Sequence, residues 1–156
     1  MYKILFVCLG NICRSPAAEG VFSHLVEKEG VGDQFKIDSC GIIGFHEGER
    51  ADIRMRDHAL KRGIELTSIS RQFKSKDFKN FDLIIAMDGR NFKDLRELDS
   101  KGFYSEKIKM FCEYCSEREE QEVPDPYYGG ADGFEQVLDI VEDASRGLLK
   151  SLIHGK

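Results

Sequence analysis

The residues with the clearest chemical potential lie between Cys8 and Pro16, which reads Cys-Leu-Gly-Asn-Ile-Cys-Arg-Ser-Pro. A cysteine is followed, after five intervening residues, by an arginine. The stretch comes directly after the apolar run Ile4-Leu5-Phe6-Val7 and before a helical pattern. In a loop joining a buried strand to a helix, backbone N–H groups can turn inward as an anion nest, and the helix start adds positive potential. Leu9, Gly10, Asn11, Ile12 and Cys13, with Arg14 and Ser15, are therefore expected to cradle a phosphate-sized anion. A thiol inside that nest is favoured as the thiolate, the nucleophilic form. The planar fork of Arg14 can hold two oxygens of a phosphoryl group. In-line attack by Cys8 on phosphorus would give a cysteinyl-phosphate. The nest and Arg14 would carry the equatorial oxygens, so the chemistry calls for no metal and no cofactor. The leaving oxygen still needs a proton, and Asp125 is the candidate acid. It stands between Pro124 and Pro126 on a stiff backbone and is followed by Tyr127 and Tyr128.

These groups must be positioned by regular elements. Ile4 to Cys8 reads as a strand buried on both faces. Ser15 near the cap and Pro16 in the first turn start a helix running to about Glu29, where Gly30 and Gly32 end it. Phe35 to Ser39 is a second strand. Asp52 to Arg62 is helical and stops at Gly63. Phe81 to Met87 is a further buried strand, Asn91 to Leu98 a helix, and Ile108 to Phe111 a short fourth strand. Asp132 is expected to cap the last helix, with Glu135 completing a capping box. A stripe from Phe134 through Leu148 then carries that helix to near Leu152. Strands alternating with helices predict an α/β sandwich around a parallel sheet. The end of its first strand is where such sheets bind ligands.

The chain has 156 residues, enough for one domain, 1–156, with a real core. A net charge of -5 and the lack of a basic stripe argue against nucleic acid as a partner. No stretch reaches the ~18 consecutive apolar residues of a membrane span. Met1-Tyr2-Lys3 leads straight into a strand and does not resemble a signal peptide. Five cysteines do not form a secreted disulfide framework, so a cytoplasmic location with reduced thiols is expected. Cys112 and Cys115 form a lone Cys-x-x-Cys without the two further ligands that zinc requires, and are read as structural. The four histidines are scattered, and only His46 borders the expected site. Cys13 lies in the same curled loop as Cys8. Their Cα atoms are expected within the ~7 Å a disulfide allows, which makes Cys13 a candidate redox partner.

The two segments Cys8–Pro16 and Asp125-Pro126-Tyr127-Tyr128 resemble the signatures of the low-molecular-weight protein tyrosine phosphatases. Ser39, Asp52-x-Arg54, Ser70-Arg71-Gln72 and Met87-Asp88 with Asn91 also match, so the likeness spans essentially the whole chain. It implies a three-layer sandwich: a four-stranded parallel sheet of order 2-1-3-4 with helices on both faces. It implies Cys8 as nucleophile, Arg14 as phosphate clamp and Asp125 as acid and then base. Asn11, Ser15 and Ser39 would hydrogen-bond around the loop, and Phe45, Tyr127 and Tyr128 would wall an aromatic slot. The implied partners are phosphotyrosine-containing proteins, with inorganic phosphate as product and inhibitor. The family often has Trp or Tyr at the position of Phe45. It often has a loop-supporting histidine where Ser68 stands here.

Other chemistries use the same scaffold. An arsenate reductase needs additional cysteines just after the third strand, but Met87-Asp88-Gly89-Arg90-Asn91 has none. A phosphoarginine phosphatase goes with threonine at the position of Ile12, whereas an apolar Ile12 suits a phenyl ring. A mere phosphate-binding module would need neither nucleophile nor acid.

Overall fold

β1 (Tyr2–Cys8) has no exposed face beyond its first residues, and this places it at the centre of the sheet. The computed structural model describes residues 1–127 and 130–154. β1 pairs in parallel with β2 (Phe35–Gly41) on one side and with β3 (Leu83–Ala86) on the other, and β3 pairs with β4 (Ile108–Met110). The sheet order is therefore β2-β1-β3-β4, as the resemblance implies. Side chains alternate along each inner strand. Ile4, Phe6 and Cys8 with Leu83 and Ile85 enter one core, while Leu5 and Val7 with Ile84 and Ala86 enter the other.

The first core is closed by α1 (Arg14–Lys28), α2 (Ile53–Leu60) and α5 (Ala131–His154). Phe6 sits at its middle, with its ring centroid 6.0 Å from Phe22 of α1 and 5.1 Å from Phe111. The second core is closed by α3 (Asp77–Asn80), which sequence reading missed, and α4 (Gly89–Leu98), through Phe78 and Leu95. Burying both faces of a parallel sheet leaves its strand ends as the accessible edges, and the first loop opens at one of them.

Several elements differ from expectation for local reasons. The third strand is shorter than Phe81–Met87, because the Phe81 N–H turns to the Asp77 carbonyl and Asp82 accepts from the Lys3 N–H. The fourth stops at Met110, since Phe111–Tyr114 coils into a 3-10 turn. α2 ends at Leu60, before the expected Arg62. Asp132 does not cap α5. The helix already begins at Ala131, so Asp132 lies inside its first turn. Glu135 is not part of a capping box. Its carboxylate instead joins His58 and Arg62, tying α5 to α2 and the turn after it.

α5 also packs closely on the 3-10 turn at Gly147, where an added Cβ would overlap the carbonyl oxygen of Tyr114. Backbone cannot yield as a side-chain tip does. Gly147→Ala is therefore expected to destabilise the fold by about 3 kcal/mol, read as a lowered urea midpoint with an unchanged slope.

Candidate active site

The loop between β1 and α1 rests on one strained residue. Asn11 has φ 59, a left-handed conformation that costs a non-glycine residue about 1 kcal/mol. Hydrogen bonds on every side hold it there. Its Nδ2 donates to Ser15 Oγ at 2.8 Å and to Ser39 Oγ at 3.0 Å, and its Oδ1 accepts from the Arg71 N–H at 3.1 Å. Its carbonyl accepts from the Ser70 hydroxyl. Ser70 and Arg71 had matched the resemblance as positions, but sequence reading gave them no role. Two isolated bridges, Gly41 to Gln72 and Arg50 to Ile69, bring that segment beside β2, and such pairings have no short-range signature. Among the described contacts it is Ser70, rather than the aligned Ser68, that supports the loop.

Inside the loop, Cys8 is 3% exposed. Its Sγ accepts from the Asn11 N–H at 3.3 Å and lies 3.0 Å from Ser15 Oγ. Ser15 is not the helix cap: Cys13 holds that position with no side-chain capping bond, and α1 starts at Arg14. The Ser15 hydroxyl lies instead within hydrogen-bond reach of the thiol and of the Cys40 carbonyl. The N-terminal end of α1 is thus placed at the loop, where the positive end of its dipole favours an anion.

Arg14 is buried and fixed from two directions. Its Nη1 donates to Asp88 Oδ2 at 2.6 Å and to the Val123 carbonyl at 3.1 Å, while Nη2 lies 3.8 Å from Asp125 Oδ2. Burial works against its charge, but Cys8, Asp88 and Asp125 outweigh it and hold the guanidinium pKa above its ordinary value. Asp88 also caps α4, its Oδ1 accepting from the Asn91 N–H at 2.8 Å. This dual use of Asp88 was not visible in the sequence, since the Arg14 contact spans 74 positions.

Asp125 stands at the mouth, its side chain 42% exposed, with Oδ1 accepting from the Tyr127 N–H at 3.0 Å. The segment carrying it is pinned upstream by the Val123 N–H, which donates to the Met87 carbonyl at 2.8 Å. Downstream, Arg54 Nη2 donates to the Tyr127 carbonyl at 3.3 Å, and its guanidinium lies over the Tyr127 ring. Arg54 is itself held by both oxygens of Asp52, whose N–H donates to the Ile12 carbonyl. The Asp52–Arg54 pair therefore connects the loop to the acid segment.

Together these groups surround a cavity of about 240 Å³ with Cys8, Arg14 and Asp125 in its lining and Ile12, Phe45 and Tyr127 among its apolar walls. Phe45 is largely exposed and set edge-on to His46, which is bonded to Glu49 at 2.9 Å. Cys13 also reaches the cavity. Burial pushes its thiol pKa well up, and Asp52, Cys8 and Asp125 push it further. Tyr128 lies outside the described residues. Cys112 and Cys115 lie away from the cavity lining. Burial raises their thiols to about 12 and about 11, and no cluster able to hold a metal ion occurs among the described residues.

A strand–loop–helix turn that encloses a buried thiol and a buried arginine, with a carboxylate at its rim, has the make-up of a phosphoryl-transfer site. The sequence model of the low molecular weight phosphotyrosine protein phosphatases matches residues 3–156, and the chain belongs to that family. A low molecular weight phosphotyrosine protein phosphatase of Schizosaccharomyces pombe is 44% identical over 151 residues, covering 96% of each chain. The crystal structure of a protein tyrosine phosphatase from Entamoeba histolytica, with Hepes in its active site, superposes with a TM-score of 0.95 at 45% identity over 99% of both chains. A Drosophila arginine phosphatase superposes with a TM-score of 0.91 at 29% identity, again over 99% of both.

Proposed function

We propose that this chain hydrolyses phosphotyrosine in proteins, and simple aryl phosphates, through a cysteinyl-phosphate on Cys8. The observation that carries this reading is one cavity that joins Cys8, Arg14 and Asp125 to apolar walls. The phosphoryl group enters the loop, where backbone N–H groups and Arg14 stabilise its equatorial oxygens. Cys8 Sγ attacks phosphorus while Asp125 gives its proton to the departing phenolic oxygen. Asp125, now ionised, takes a proton from water as that water attacks the phosphocysteine. Inorganic phosphate is released and the thiolate restored. Phosphate occupies the same cradle and so inhibits. A cytoplasmic location belongs to this reading, supported by five cysteines that are all free thiols.

Ile12 favours an aryl ester over phosphoarginine, because an apolar side chain in the wall packs against a phenyl face. The deciding experiment is turnover of an aryl phosphate in EDTA, set beside a phosphoarginine peptide and arsenate with thioredoxin. Efficient aryl phosphate hydrolysis is expected. Preference for either other substrate overturns the assignment.

Cys13 is assigned a protective role in the same site. Peroxide converts the Cys8 thiolate to a sulfenic acid. The Cys13 thiol then displaces water from it, forming a Cys8–Cys13 disulfide that dithiothreitol reverses. The raised Cys13 pKa keeps this thiol protonated at neutral pH, so Cys8 is the one oxidised first. Cys13→Ser is expected to keep most activity when reduced and to lose it irreversibly after peroxide. Mass spectrometry of oxidised wild type should show the 8–13 link. Full recovery of the variant would exclude Cys13 as the resolving thiol.

A further inference from the structure

Glu19 lies on α1, outside the cavity, and is joined to the loop by a chain of short hydrogen bonds. Ser39 Oγ donates to Glu19 Oε1 at 2.6 Å. The same Ser39 oxygen accepts from Asn11 Nδ2, whose other hydrogen goes to Ser15 Oγ. Ser15 has two possible acceptors for its own proton, Cys8 Sγ at 3.0 Å and the Cys40 carbonyl at 3.4 Å. A hydroxyl donates only one hydrogen, so the state of the chain decides which of the two receives it.

We propose that Glu19 is a positioning residue of the loop: through Ser39 and Asn11 it directs the Ser15 hydroxyl to Cys8 and away from the Cys40 carbonyl. With Glu19 accepting, the Ser39 proton is committed, and its lone pairs must face Asn11. Both Asn11 hydrogens are then fixed on Ser39 and Ser15, which holds a Ser15 lone pair toward Asn11 and restricts the hydroxyl's rotation. Its one hydrogen then goes to the nearer acceptor, Sγ at 3.0 Å, which as the thiolate of the proposed reaction can only accept. Chains of this kind polarise one another, so the far end matters beyond its own bond. The inference rests on Cys8 being the nucleophile of the proposed reaction.

The site is a costly place for a carboxylate. Burial raises Glu19 to about 7, with Asp38 adding to the rise; the Ser39 bond and Arg71 oppose it. The groove beside Glu19 is faced by His24 and Glu27 of α1 and by Glu65 of the following segment. The folded protein therefore binds this proton more tightly than the unfolded chain. The stabilisation from the Glu19 proton is complete below the ordinary value of 4.5 and is lost as pH rises to about 7. Glu19→Gln removes that loss, and its urea midpoint at pH 8 is expected above that of wild type.

The test combines turnover with a double-mutant cycle. In Glu19→Ala, kcat for nitrophenyl phosphate should fall about tenfold, the scale of one well-placed hydrogen bond. KM should stay within about twofold, because the nest and Arg14 are intact. Iodoacetate alkylation of Cys8 at pH 8, where Glu19 is ionised, should slow to a similar degree. Ser39→Ala should match the effect, and the double variant should be no worse than either single one. Glu19→Gln keeps an acceptor oxygen and should fall between, slower than wild type yet more stable at pH 8. Additive losses, or unchanged kcat and alkylation in Glu19→Ala, overturn the proposal. So does a Glu19→Gln variant that loses stability and activity together, the mark of a merely structural residue. If wild type turns over no aryl phosphate, the functional reading fails, and the alkylation arm alone decides the relay.

Discussion

Cys8→Ser is expected to abolish turnover, by on the order of 10⁴-fold or more, while inorganic phosphate still binds. The cradle is built from groups the substitution leaves in place: the Asn11 bonds, the start of α1 and Arg14 anchored on Asp88. What is lost is the nucleophile. A serine hydroxyl at that point is not ionised near neutral pH. The base that would activate it is missing too, since Asp125 is assigned to the leaving group in the proposed mechanism and Ser15 is itself a hydroxyl. Turnover of an aryl phosphate and isothermal titration with phosphate, on the same preparation, separate the two effects. Appreciable turnover by the variant would place the nucleophile elsewhere. Loss of phosphate binding as well would mean that the loop had collapsed.

The second large effect is expected at Asp125. Asp125→Ala leaves the departing oxygen without a proton, so the rate should drop by about 10²–10⁴-fold for phenols of high pKa. For nitrophenyl phosphate, whose leaving group is stable as an anion, the loss should be much smaller. A plot of log kcat against leaving-group pKa is therefore expected to be shallow for wild type and steep for the variant. Parallel lines would remove Asp125 from the role of acid. The position of its carboxylate, 3.8 Å from Arg14 Nη2 and half-exposed at the cavity mouth, fits a group that meets the leaving oxygen and not the phosphorus.

How far the sequence foretold this arrangement depends on the range of the interactions involved. β1 and the loop were legible because four apolar residues, a cysteine and an arginine at fixed spacing are a local signal. The two-sided burial of β1 followed from the same run. The supports of the loop were only partly legible. Ser39 was named through the resemblance, but the contacts of Ser70, Arg71, Asp88 and Glu19 reach 59, 60, 74 and 20 positions along the chain. No local pattern encodes such partners. Misread caps have a related cause. Ser15 and Glu135 have the residue types of caps, but each has a tertiary partner that competes for the same atoms, Cys8 in one case and Arg62 with His58 in the other. α3 is four residues long, too short to show a period.

The two pins on the acid segment, Val123 on Met87 and Arg14, and Tyr127 on Arg54, have a kinetic meaning. Between them runs a span so short, and so stiffened by Pro124 and Pro126, that Asp125 can sweep only a small arc over the cavity. A free carboxylate in solution would have to be found and oriented anew for every ester cleaved. Here most of that ordering took place once, when the chain folded. In the proposed mechanism the acid thus behaves as a reagent at very high effective concentration. In the proposed reaction the arginine that grips the phosphoryl group also anchors one end of that arc, through the Val123 carbonyl.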